Sequence, residues 1–221
     1  MKKNFLNILL CSCLSLFILL VILILVVDVQ IHPYTLESVG MYNLNKIFLF
    51  NNDMIKLWDM VCDLFMYNAI FLVLVIASVG AYQLFKNKSL KKVDNEILLL
   101  GGFIIILAVA WILFDKVLVI NHRPIFVDGE LEGSFPSTHV MLVTFVYLAI
   151  GQFIKFKNKP KMVKRVYYGV AIFLITLTSI GRILSLMHWF TDVLGGILLG
   201  LTFYFAYLKS IEIVKNKKLN N

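Results

Sequence analysis

Six apolar runs limit what this chain can fold into. They cover roughly residues 5–27, 64–85, 97–114, 138–154, 166–184 and 189–208. Each is close to the ~20 residues that carry a helix across the hydrocarbon core of a bilayer. Lipid offers the backbone no hydrogen-bond partners, so such segments satisfy themselves as helices. The predicted fold is all-α: a polytopic membrane protein with six transmembrane helices in a single membrane domain over residues 1–221. With 60% hydrophobic residues among 221, little sequence is left for a separate soluble domain. The first run follows Met1-Lys2-Lys3 and resembles a signal peptide, but it is too long for one and lacks a small-residue cleavage site. It is expected to be a retained helix. Residues 28–63 are mixed, and their apolar positions (Leu44, Ile47, Phe48, Ile55, Trp58) suit short helices in the interface. Gly196 and Gly200 form a small-residue pair suited to close helix packing.

The net charge of +8 reads as orientation. The basic residues sit in short loops between apolar runs, so nucleic acid is not an expected partner. Sixteen of the 21 lysines and arginines fall on one side, from Lys2 and Lys3 through Lys86–Lys92 and Lys155–Arg165 to Lys209–Lys218. The positive-inside rule then places both termini in the cytoplasm. Trp58, Trp111 and Trp189 fall near the outer helix ends and read as interfacial anchors. His32 and His122 read as surface polar residues, and Asp128, Glu130 and Glu132 as a solvated acidic loop. Cys11, Cys13 and Cys62 have neither metal-ligand spacing nor a disulfide pattern.

Five cations remain outside, and three of them, Lys116, Arg123 and Arg182, sit close to membrane level. Charges in such places point to function. They belong to three polar segments: Lys116 to Arg123-Pro124, Pro136-Ser137-Thr138-His139, and Gly181-Arg182 with His188 and Asp192. The topology brings all three to the outer surface. Lys116 and Arg123, seven apart, would share a helical face. With Arg182 they supply three cations for a phosphate, whose oxygens match the arginine fork. Ser137 and Thr138 open the fourth helix, where free N–H groups favour an anion. His188 and Asp192 are i and i+4. The carboxylate would accept from one ring nitrogen and leave the other to attack. His139 is placed to protonate the leaving oxygen and then activate water. No carboxylate cluster suggests a metal pair.

These segments resemble the signature of the type 2 phosphatidic acid phosphatase family, which shares its site with vanadium haloperoxidases. Lys116, Arg123, Pro124, Pro136, Ser137, His139, Arg182, His188 and Asp192 match it, with correct internal spacing, inside a catalytic core of about residues 97–208. Thr138 stands where the family has glycine, and Gly181 where it has serine. The resemblance implies a membrane enzyme that hydrolyses a lipid phosphate monoester or diphosphate through a phosphohistidine on His188, with His139 as acid and then base. It implies phosphate binding by Lys116, Arg123, Ser137, Thr138 and Arg182, no metal and no cofactor, and lipid substrates that enter from the bilayer. Undecaprenyl diphosphate, phosphatidylglycerophosphate and phosphatidic acid are substrates it allows, the first suggesting a role in cell-wall synthesis. The expected location is the cell membrane, with the site facing outward. Two alternatives stay open on sequence alone: a phosphotransferase using the same intermediate, and a non-catalytic membrane protein that binds or transports an anion.

Overall fold

The computed structural model describes residues 2–50, 55–156 and 160–220. The expected cytoplasmic lysines Lys157 and Lys159 lie outside the described residues. Among the described residues there are seven α-helices: α1 (Lys2–Val26), α2 (Tyr42–Ile47), α3 (Ile55–Asn87), α4 (Asn95–Ile112), α5 (Thr138–Phe156), α6 (Lys161–Leu184) and α7 (Phe190–Asn220). Five of them (α1, α3, α4, α6 and α7) are long and apolar enough to cross a membrane. Many large apolar side chains on the outer faces of α1, α3, α4 and α6 are exposed, including Ile18, Phe71, Ile105 and Phe173. A soluble fold would cover such surface; here it is the lipid-facing exterior. The protein is a multi-pass membrane protein.

The sixth expected span is α5, which differs from the others. Val140, Met141, Val143, Phe145 and Val146 are fully enclosed, because α3, α4, α6 and α7 all pack around this helix. A central helix meets protein instead of lipid. Gly196 and Gly200 explain how closely α7 approaches it. A Cβ on Gly196 would stand 2.6 Å from the Ser137 carbonyl oxygen, and one on Gly200 would stand 2.9 Å from that of Met141. The small-residue pair therefore sets the α5–α7 distance, as expected.

The segment after α1 departs from expectation. Gln30–Ile31 pairs antiparallel with Ser38–Val39, and among the described residues of the segment α2 is the one short helix. Residues Ile55–Asp63, read as interfacial, are instead the first turns of α3. Their polar residues Lys56, Asp59 and Asp63 masked the start of the span. The segment ties down the start of α7: the Asn45 amide donates to Thr191 Oγ1 (3.0 Å), and its Oδ1 accepts the Thr191 N–H (3.1 Å). Trp189 is not an interfacial anchor. It is 1% exposed, and its indole N–H donates to the His122 carbonyl at 2.7 Å. His32 is likewise buried, its ring 5.2 Å from that of Trp189.

Candidate active site

The start of α3, the end of α4, the start of α5, the end of α6 and the start of α7 meet at one end of the bundle. After α4 the chain makes one wide π-type turn, Leu113–Val117. It then folds back on itself before α5, through Arg123 N–H to Glu132 O (3.1 Å) and Ser134 N–H to Asn121 O (2.8 Å). Lys116 and Arg123 therefore do not share a helical face, because the helix ends between them. Both still line one cavity of about 560 Å³, together with Thr138, His139 and His188. Ser137, Arg182 and Asp192 are buried near it.

His188 lies before α7, in the turn that follows α6. Its Nδ1 is 2.9 Å from the Ser134 carbonyl oxygen. A carbonyl only accepts, so the proton sits on Nδ1 and Nε2 carries the lone pair. Nε2 is buried without a hydrogen-bond partner. The orienting acceptor expected from sequence was Asp192, but its Oδ2 stands 3.8 Å from Nδ1. That distance suits an ion pair with a protonated ring and is too long for a hydrogen bond. Asp192 is the third residue of α7 and reaches back to the Trp189 N–H at 2.9 Å, the second half of a capping box. Its Oδ1 accepts from the Asn121 amide at 3.3 Å. Spacing brought Asp192 within ion-pair range of the ring, but because His188 precedes the helix the orienting hydrogen bond goes to Ser134.

Each of the three expected phosphate cations has a carboxylate partner. Lys116 pairs with Asp115 at 3.0 Å and is 67% exposed. Arg123 pairs with Glu132 at 2.7 Å, which separates Glu132 from the acidic loop. Arg182, 2% exposed, pairs with Asp59 at 2.5 Å. His139 Nε2 is 2.8 Å from Asp63 Oδ1. Asp59 and Asp63 were not foreseen. Their signal was present in the sequence as two acids four apart at the head of an apolar run, which share a helical face.

Several buried polar atoms here have no partner: His188 Nε2, His139 Nδ1, Ser137 Oγ, and Nε of both Arg123 and Arg182. Buried polar groups are normally satisfied. A cluster of unsatisfied donors and lone pairs beside two arginines suits a tetrahedral anion. The Ser137 N–H is already given to the Asp192 carbonyl (2.9 Å), so Ser137 offers its hydroxyl. Burial first, then the charges of Arg182 and Arg123, hold the His188 ring well below the ordinary histidine pKa. It is therefore neutral, with Nε2 able to attack, at neutral pH.

Gly181 has a packing reason. A Cβ there would stand 2.5 Å from Cys62 Sγ and 3.2 Å from the Trp58 ring, so the glycine lets α6 lie against α3. Gly181→Ser is expected to lower stability by ~1–3 kcal/mol, as overpacking does, which a thermal melt in detergent would show. An unchanged melting temperature would mean that α3 yields freely at this contact.

The sequence model of the PAP2 superfamily matches residues 116–214, the stretch that carries all three motifs. Phosphatidylglycerophosphatase B of Bacillus subtilis (strain 168) is 36% identical over 88 residues, which cover 39% of this chain and 43% of that relative. The aligned part is thus less than half of the relative's length. The crystal structure described as that of the first transmembrane PAP2 type phosphatidylglycerolphosphate phosphatase from Bacillus subtilis has the same fold. It covers 93% of this chain and 96% of its own, with a TM-score of 0.62 and 24% identity.

Proposed function

We propose that this chain is a member of the PAP2 superfamily, whose sequence model matches residues 116–214, and that it is an integral-membrane lipid phosphatase working through a phosphohistidine on His188. One observation carries the proposal: Nδ1 of His188 is held by the Ser134 carbonyl while Nε2 is buried and unpartnered. That is the state a nitrogen nucleophile needs. In the first step the Nε2 lone pair bonds to phosphorus and the bond from phosphorus to the lipid oxygen breaks. The leaving oxygen takes its electron pair and a proton from His139. In the second step water gives a proton to His139 and its oxygen bonds to phosphorus. The P–N bond breaks, and its pair returns to Nε2. Arg123, Arg182 and Lys116 offset the charge on the transferring group, with Ser137 and Thr138 at the head of α5. Asp192, within ion-pair range, offsets the charge that develops on His188. These groups supply the electrostatic stabilisation themselves, and the reaction needs no metal.

The cavity supports a lipid substrate. Below the polar end its wall is apolar, built from Met66 and Ile70 of α3, Ile104, Leu107 and Trp111 of α4, and Leu142 of α5. Such a wall suits acyl or prenyl chain. The sixteen-to-five lysine and arginine asymmetry supports a site on the extracytoplasmic face, with both termini in the cytoplasm. The names of the relatives support a phosphatidylglycerophosphate-type monoester as the first substrate to try, with undecaprenyl diphosphate and phosphatidic acid after it.

The test is phosphate release by purified protein in detergent with EDTA, from each of these lipids, across pH. Release in EDTA is expected. The neutral, low-pKa His188 gives the pH dependence a sign. A group that must be unprotonated is lost as pH falls through its pKa, so the loss due to His188 should occur only below about pH 6.5, the unperturbed histidine value. No release from any lipid would overturn the proposal, and a loss centred near pH 6.5 would contradict the His188 environment.

A further inference from the structure

Asp63 lies outside the matched residues 116–214, on a helix that carries none of the three motifs. It shares a face of α3 with Asp59, Met66 and Ile70, and the last two line the cavity. Its Oδ1 is 2.8 Å from His139 Nε2, while His139 Nδ1 is buried without a partner. A carboxylate at that distance accepts the Nε2 proton and fixes the tautomer. Only Nδ1 is then left to exchange a proton with substrate or water. The charged groups around the ring are Asp59 from α3, Arg182 from α6 and Arg123 from the loop after α4, together with Asp63 of α3. Two cations oppose an imidazolium here. Asp59 is already engaged by Arg182, and Asp63 is the carboxylate bonded to the ring.

We propose that Asp63 is the positioning residue for His139: it holds the ring by Nε2, leaves Nδ1 as the atom that transfers the proton, and offsets the charge of the protonated ring. The proposal rests on the phosphatase reading above. Before phosphoryl transfer His139 carries protons on both nitrogens. As the bond to the lipid oxygen breaks, the Nδ1 proton goes to that oxygen, and His139 is left neutral with its Nε2 proton on Asp63. Water then returns a proton to Nδ1. A lipid alkoxide needs this proton, whereas nitrophenolate leaves without one.

The experiment compares first-turnover rates for a lipid phosphate monoester and p-nitrophenyl phosphate in wild type, Asp63→Asn, Asp63→Ala and His139→Ala. The expected result is a fall of ~10²-fold in the lipid-to-nitrophenyl rate ratio for all three variants, the scale of one general acid. The double variant Asp63→Asn/His139→Ala should show no further fall, because both residues serve one proton. An unchanged ratio in Asp63→Asn and Asp63→Ala, whether both rates hold or both drop together, overturns the proposal and leaves Asp63 a structural residue. A wild type that releases neither product overturns the phosphatase reading itself.

Discussion

His188→Ala should abolish phosphate release, by ~10⁴-fold or more, while leaving the fold in place. Losses of that size follow removal of a nucleophile, because the remaining groups have nothing to transfer the phosphoryl group to. The ring stands in a turn between α6 and α7, and its only hydrogen bond among the described residues is to the Ser134 carbonyl. The Asp192 carboxylate keeps its Trp189 and Asn121 donors when the ring is gone. The start of α7 should therefore survive, and circular dichroism and elution in detergent should match wild type. Full activity in this variant would leave the site without its central atom.

Arg182→Ala should damage both activity and stability. The guanidinium is 2% exposed and holds Asp59 at 2.5 Å. Its removal leaves a carboxylate without its counter-charge at the edge of the bundle. Asp59 is 31% exposed, so water screens part of the charge left behind and the cost is about 1–3 kcal/mol, which a thermal melt would register as a drop. It also takes away one donor for the developing charge on phosphate, worth ~10²–10³-fold in kcat. Arg182→Ala/Asp59→Ala separates the two effects. The double variant should recover much of the stability and little of the activity. Recovery of activity would mean that Arg182 serves only to neutralise Asp59.

Most of the fold was legible because lipid imposes one rule on every spanning segment. Apolar runs of the right length had to become helices, and they did. What failed was the start of α3. Lys56, Asp59 and Asp63 made it look like loop, since a helix that reaches a polar site at the membrane edge carries polar residues there. The central position of α5 was also not visible, since a helix enclosed by protein and a helix facing lipid are both apolar.

The candidate site was legible in its residue types more than in its contacts. The three motifs named the histidines and cations now found around one cavity. They did not name their partners. Ser134 holds His188 through a backbone carbonyl, which any residue would supply, so no sequence pattern can mark it. Asp192 was assigned to the ring by helical spacing, but α7 begins at Phe190, after the histidine. Asp59 and Asp63 come from a segment more than fifty residues before the first motif, and only the packing of α3 against α5 and α6 brings them in.

The central claim is a covalent phosphohistidine on His188, and trapping it is the most direct test. His139→Ala given p-nitrophenyl phosphate should form the intermediate, since nitrophenolate leaves unaided, and should hydrolyse it slowly for want of a base. Rapid quench at alkaline pH followed by peptide mass spectrometry should then place one phosphoryl group on His188. A protein that releases nitrophenolate yet carries no phosphoryl group, or carries it on another residue, would contradict the account.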